Sequence, residues 1–147
     1  MIRYIEHIAV AVTDADASVR WYRNLGFHVT HDELRPELGV RLLYLVPSGI
    51  ESDREVTTIQ LVEPLGHGPI ADFIREQGEG LHHVCFAVDD LVAASELVGE
   101  PAPDITRGGR DRRACFLQAR PNDARIELTE TLPFHQFVAP APQRDGA

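Results

Sequence analysis

The 147-residue chain contains no lysine; all 14 of its basic residues are arginine. That absence excludes chemistry carried by a lysine Schiff base, which requires a primary amine. Cysteine is scarce. Its two residues, Cys85 and Cys115, show no Cys-x-x-Cys spacing and sit in strand-like runs, so they read as buried free thiols of a cytoplasmic protein. Positive charge is in deficit as well. Fourteen basic residues face 23 acidic ones, giving a net charge of -9, which argues against nucleic-acid or anionic-membrane partners because these need a positive footprint. No apolar stretch approaches the ~20 residues of a membrane-spanning helix. Residues 1–20 lack the basic start and apolar run of a signal peptide. What is present is ordinary for a globular domain: 44% hydrophobic residues, in a length sufficient for one domain with a real core.

The chain repeats itself. Gly80-Leu81-His82-His83-Val84-Cys85-Phe86-Ala87-Val88 has a near copy in Ile5-Glu6-His7-Ile8-Ala9-Val10-Ala11-Val12. His83 falls on His7, Val84 on Ile8, Ala87 on Ala11 and Val88 on Val12. Each copy leads into an acidic step, Thr13-Asp14 or Asp89-Asp90, and then into a helix-like run. A second pair of related strands ends each half: Thr57–Glu63 and Ala124–Glu130, with Gln60 falling on Glu127. A repeat longer than one element predicts two related modules.

Read in order, strand Ile5–Val12 precedes a helix capped by Thr13 or Asp14 and stopped at Gly26. Phe27–Thr30 reads as a short strand and the polar, Pro36-containing stretch 31–37 as a loop. Strands Val40–Val46 and Val56–Val62 complete the first module, about residues 1–64. A linker, 65–79, holds a helix that starts at Pro69 and ends at Gly78. The second module, about 80–132, repeats the order: strand Leu81–Val88, a helix to about Val98, strand Arg112–Gln118, strand Ala124–Thr131. The Pro-rich stretch 133–147 reads as a tail.

Strand side chains alternate between faces, so one residue per strand can point inward while its neighbours pack outward. His7, Gln60, His83 and Glu127 are the inward candidates. Two imidazoles, an amide oxygen and a carboxylate suit a divalent ion of borderline softness such as Co, Mn, Zn, Ni or Fe. On an octahedral ion such a set leaves room for a substrate with two neighbouring oxygens. Glu127 is also the best placed general base, being the one carboxylate of the set; Gln60, an amide, cannot mirror it.

These features resemble the vicinal oxygen chelate (glyoxalase/bleomycin resistance) superfamily, and most closely its methylmalonyl-CoA epimerase family. The resemblance covers nearly all of residues 4–131. It is carried by His7–Val12, Pro36-Glu37-Leu38-Gly39-Val40, Glu63-Pro64-Leu65-Gly66, Pro69-Ile70-Ala71-Asp72-Phe73, Gly78-Glu79-Gly80-Leu81-His82-His83 and Ile126-Glu127-Leu128. It implies an α+β fold in which two βαβββ modules form a curved sheet around a metal held by His7, Gln60, His83 and Glu127. It also implies a homodimer, and an isomerase that removes a proton alpha to a carbonyl through a metal-stabilised enolate. Leu42 stands where some bacterial members of the family carry a third-strand glutamate. Tyr44, of the same strand parity, is the first candidate for the acid that returns the proton. His82 is expected on the face opposite His83, with a structural role. Arg107, Arg110, Arg112 and Arg113 read either as an anchor for a phosphate or carboxylate or as a solvated loop. An acyl-CoA is the expected substrate. A ketocyclitol of the 2-epi-5-epi-valiolone type, and a drug-binding resistance protein, are the alternatives.

Overall fold

Each module begins in the same way, with a strand that runs into a capped helix. In a computed structural model describing residues 1–50 and 55–133, β1 (Ile2–Ala11) leads into α1 (Ala15–Asn24) and β5 (Gly80–Val88) into α3 (Leu91–Glu96). Asp14 Oδ1 accepts the Ala17 N–H at 3.0 Å, and Asp90 Oδ1 accepts the Ala93 N–H at 2.9 Å. Both are N-caps that satisfy a donor with no partner inside the helix. A second carboxylate closes each helix start from the module's last strand. Glu63 Oε2 accepts the Ala15 N–H at 2.6 Å, and Glu130 Oε1 accepts the Leu91 N–H at 3.1 Å. A negative charge there is favoured by the helix dipole. Arg41 and Arg113 face these two glutamates at 3.9 and 3.2 Å.

The remaining elements are β2 (Phe27–Arg35), β3 (Val40–Pro47), β4 (Thr58–Pro64), α2 (Pro69–Gln77), β6 (Thr106–Arg107), β7 (Arg112–Phe116) and β8 (Ile126–Pro133). All strands join one curled, mixed sheet in the order β2-β3-β4-β1-β5-β8-β7-β6. Read outward from its middle, the order is the same on both sides. β1 pairs with β4 and β5 with β8, both parallel, while β1 and β5 pair antiparallel. A pseudo-two-fold axis therefore passes between β1 and β5, as the repeat predicts, and the sheet has the vicinal oxygen chelate fold.

Alternation along β3 divides the core. Leu43 and Leu45 pack beneath α1 with Val12, Val19 and Leu61. Leu42 and Tyr44 lie on the other face with Ala9, Val40 and Val62, against which Ile70 of α2 packs. In the second module Val88, Leu91, Ala94, Cys115 and Leu128 form the counterpart of the α1 cluster. Among the described residues no helix is long and apolar enough to cross a membrane.

The structure corrects the expected loop at 31–37. β2 continues to Arg35, with His31 opposite Tyr44 and Arg35 opposite Val40. Its polar residues are compatible with a strand because β2 is an edge, where one side of the ladder faces solvent. Arg41 joins the strand to α1 by bonding Asp32 at 2.9 Å and Asp16 at 3.1 Å. Pro36 then opens a single 3-10 turn that closes at Gly39, in the left-handed region at φ 68. The short strand β6 lies in what reads as loop. Of the expected tail, residues 134–147 lie outside the described residues.

The paired caps generate a stability prediction. Asp14→Ala and Asp90→Ala should each lower stability by ~1 kcal/mol. Because the two helices serve different modules, the losses should add in the double variant. Urea denaturation midpoints at constant m-value measure this, and a double variant no weaker than either single one would refute independent capping.

Candidate metal centre

The four inner strands of the sheet carry the four residues singled out by the repeat. Gln60 on β4 lies opposite Ala9 on β1, and Glu127 on β8 lies opposite Cys85 on β5. Ala9 and Cys85 each follow a repeated histidine by two positions, so these two pairings are the same pairing made twice. The result brings three of the residues together. His7 Nε2 lies 3.1 Å from His83 Nε2, and His83 Nε2 lies 3.1 Å from Glu127 Oε2. One ligand atom from each of His7, His83 and Glu127 falls within 4.8 Å of the others, a group that could hold a divalent ion.

Regular alternation does not explain which way the histidines point. Across the β1–β5 ladder, Ile5 faces Phe86 and His7 faces Cys85, which leaves Glu6 as an extra residue on β1. Ala9 faces His83 and Val10 faces Leu81, which leaves His82 as an extra residue on β5. Each is a β-bulge, a device that re-aims side chains locally. The two occupy equivalent repeat positions, since each directly precedes a repeated histidine. The second bulge corrects the expectation that His82 points away from His83. Both rings border the same cavity, with His82 Nδ1 2.8 Å from His83 Nδ1.

At the first bulge, the His7 Nδ1–H donates to Glu6 Oε2. Glu6 is 2% exposed and is held in turn by Arg110 and by Arg112, whose Nη1 donates to Glu6 Oε1 at 3.1 Å. Arg110 also lies over the Tyr44 ring, 4.2 Å from its centroid. These contacts divide the arginine cluster. Arg107 pairs with Asp111, Arg110 and Arg112 with Glu6, and Arg113 with Glu130. Arg110, Arg112 and Arg113 turn inward onto carboxylates, which takes them out of both readings, while Arg107 stays exposed. The sequence offers Arg110 and Arg112 only as an anion anchor or loop, and it gives Glu6 a single signal. Two polar residues in succession, Glu6-His7 and His82-His83, interrupt otherwise apolar strands.

Burial sets the charge states. It pushes His7 down to about 4 against the opposing pull of Glu127, and lowers His83 as well. His82 is pushed down to about 3 by burial and by its histidine neighbour. All three imidazoles are therefore neutral at neutral pH, the form that binds metals. Burial opposes charge on Glu127, but the hydrogen bond from His83, joined in acid by the Coulombic pull of protonated His83 and His7, outweighs it and holds the carboxyl below its ordinary range. A second group, Glu6, His7 and Cys85, is equally tight. It is less suited to an ion, because Glu6 is already committed to two arginines and burial pushes the Cys85 thiol well up.

A cavity of about 220 Å³ opens over the group, bordered by Gln60, His83 and Glu127, with Val40, Leu42 and Ile70 among its apolar walls. Leu42 thus faces the cavity, as its strand parity predicts. Tyr44 does not border it. Its hydroxyl accepts the Gln60 Nε2–H at 2.7 Å, and a Cβ on Gly109 would collide with that hydroxyl. Only 1% of Tyr44 is exposed, and burial raises its pKa. The expected proton donor is therefore covered by Gly109 and committed to Gln60.

Comparison with known proteins identifies the family. Residues 6–116 match the family model described as the Glyoxalase/Bleomycin resistance protein/Dioxygenase superfamily. The ethylmalonyl-CoA/methylmalonyl-CoA epimerase of Cereibacter sphaeroides is 33% identical over 115 residues, 76% of this chain and 81% of its own. The mitochondrial methylmalonyl-CoA epimerase of Homo sapiens is 33% identical over 124 residues, 79% of this chain and 66% of its own. Among solved structures, a variant of Streptomyces coelicolor methylmalonyl-CoA epimerase in complex with 2-nitronate-propionyl-CoA superposes with a TM-score of 0.77 at 29% identity, over 88% of this chain and 95% of that one. The Mycobacterium tuberculosis methylmalonyl-CoA epimerase does so with a TM-score of 0.78 at 27% identity, over 91% of each chain. The chain belongs to the glyoxalase/bleomycin resistance protein/dioxygenase superfamily, and within it to the methylmalonyl-CoA epimerase family.

Proposed function

We propose that the protein is a divalent-metal-dependent epimerase acting on methylmalonyl-CoA or a closely related branched acyl-CoA. The observation that carries this reading is the meeting of His7, His83 and Glu127 at the pseudo-two-fold centre, beneath a cavity of about 220 Å³. His7, Gln60, His83 and Glu127 hold the ion, whose identity among Co, Mn, Zn, Ni and Fe is a matter for metal analysis. When bound, such an ion supplies Lewis acidity toward a carbonyl oxygen. A cavity of about 220 Å³ has room for the acyl head and not for the whole CoA. Glu127 removes the proton alpha to the thioester carbonyl, being the one carboxylate among the described residues that borders the cavity. Leu42 gives the opposite wall no acid or base, so a water returns the proton on the second face.

Tyr44 enters this scheme as a positioning residue. By accepting the Gln60 Nε2–H it leaves the amide oxygen for the ion. The ketocyclitol alternative has no observation in its favour. Sequestration of a drug is disfavoured by the complete set of ligating side chains. We also propose a homodimer, on family membership alone; sedimentation at micromolar concentration tests it.

His83→Ala should fold and lose its bound metal, as measured by elemental analysis of the purified protein; full occupancy would overturn the ligand set. In deuterium oxide, wild-type protein should wash solvent deuterium into the alpha position of methylmalonyl-CoA and not of a ketocyclitol. Glu127→Gln, reloaded with metal, should lose that exchange. Retained exchange with metal bound would remove Glu127 as the base.

Tyr44→Phe separates two roles. A lost general acid lowers kcat by roughly 10²–10⁴-fold. A lost support for a ligand weakens metal binding by roughly 10–100-fold and leaves kcat near wild type at saturating metal. The second outcome is expected. Gly109→Ala, which displaces the same hydroxyl, should weaken metal binding in the same direction and cost about 1–3 kcal/mol of stability through overpacking.

A further inference from the structure

We infer that the two bulged residues, Glu6 and His82, are the positioning partners of the metal-binding histidines, and that each makes its neighbour present Nε2 to the ion. The inference rests on the metal-centred reading above and adds to it residues that lie outside the ligand set.

The argument begins with tautomers. An imidazole binds a metal through one nitrogen, and the hydrogen bond made by the other nitrogen decides which one. Here both Nδ1 atoms are engaged and both Nε2 atoms converge. His7 Nδ1 is held by Glu6, His83 Nδ1 lies 2.8 Å from His82 Nδ1, and the two Nε2 atoms stand 3.1 Å apart. In a regular ladder the residue before an inward histidine points to the other face and could not reach it. The extra residue on each strand removes that obstacle. Because the bulges fall at equivalent repeat positions, the device occurs once per module.

The two partners differ in chemistry. Glu6 is acceptor-only and carries charge, so it fixes the Nδ1–H form of His7 outright and raises the basicity of Nε2. Arg110 and Arg112 accompany that buried charge. His82 is neutral. It receives the His83 Nδ1–H only as its own Nε2–H tautomer, and its ring is held edge-on to Phe73 at 4.9 Å. The carboxylate partner should therefore matter more than the imidazole partner.

Two measurements test this. The first needs no substitution. Long-range proton–nitrogen correlation spectra should show His7 as the Nδ1–H tautomer in the metal-stripped wild-type protein, and His83 as the Nδ1–H tautomer in the Zn²⁺-loaded protein, where the ion displaces the Nε2–H that otherwise faces Glu127. Either histidine in the Nε2–H form in its own spectrum overturns the assignment for its bulge. The second is the dissociation constant for Co²⁺, measured by titration for the wild type, Glu6→Gln and His82→Phe. Glu6→Gln should weaken binding by roughly 10–100-fold. His82→Phe, which keeps the ring against Phe73, should weaken it by less. Wild-type affinity in both variants would defeat the inference. Should Glu6→Gln fail to fold because Arg110 loses its partner, His82→Phe and the tautomer spectra still decide. A wild-type protein that binds no Co²⁺, Mn²⁺ or Zn²⁺ would defeat the proposed function instead. The spectrum of the metal-stripped protein would then judge the Glu6 bulge on its own.

Discussion

The antiparallel pairing of β1 with β5 is the constraint on which the rest of the structure depends. It places the two module-opening strands side by side and so sets the pseudo-two-fold axis. Each strand then adds its own module's last strand in parallel on its outer edge. The four residues of the site come from these four strands and from no others. A slip of one residue in the β1–β5 register would turn each histidine toward the helices. Such slips are resisted because apolar layers cover both faces, with Val12, Leu43 and Leu61 under α1 and Ala9, Leu42 and Val62 on the cavity side.

The bulges bring polar atoms into this apolar frame, and the frame accommodates them by pairing. A buried carboxylate is tolerable when its oxygens are all engaged, and Glu6 meets His7, Arg110 and Arg112. Arg110 reaches it from a turn in which Arg110 and Asp111 take left-handed backbone angles, at φ 55 and φ 57. Glycine at position 109 lets that turn lie directly against Tyr44. A short loop in the second module therefore braces a histidine and a glutamine of the first. The site is shared between the modules in its supports as well as in its ligands.

The repeat made much of this legible from the sequence alone. His7 and His83 announce themselves because both lie in the same apolar context, and Gln60 and Glu127 because their strands align. What stayed hidden follows from physical rules that act beyond local pattern. Alternation assumes an unbroken ladder, so it sends His82 to the wrong face and gives Glu6 no role. Arg110 and Arg112 find their carboxylate more than a hundred positions earlier in the chain, a pairing no local window contains. The polar stretch 31–37 reads as a loop because edge strands need not alternate cleanly. For Tyr44 the parity was right and the depth was not, since the backbone that covers it belongs to the other module. The αβ order, the linker helix at Pro69–Gln77 and both acidic caps were readable because each depends on residues within a few positions of one another.

The central place of β1 also bears on how the chain is made. It is synthesised before the other described strands, yet both of its neighbours come later: β4 after most of its own module, and β5 only once the linker helix has been synthesised. Until then its two edges carry unpaired backbone groups, the state in which strands seek foreign partners. Long-range pairings of this kind form late and slowly. Nascent chains should therefore pass through an interval in which the first module is already extruded but its opening strand remains half-clad, and during that interval molecular chaperones have a natural point of engagement.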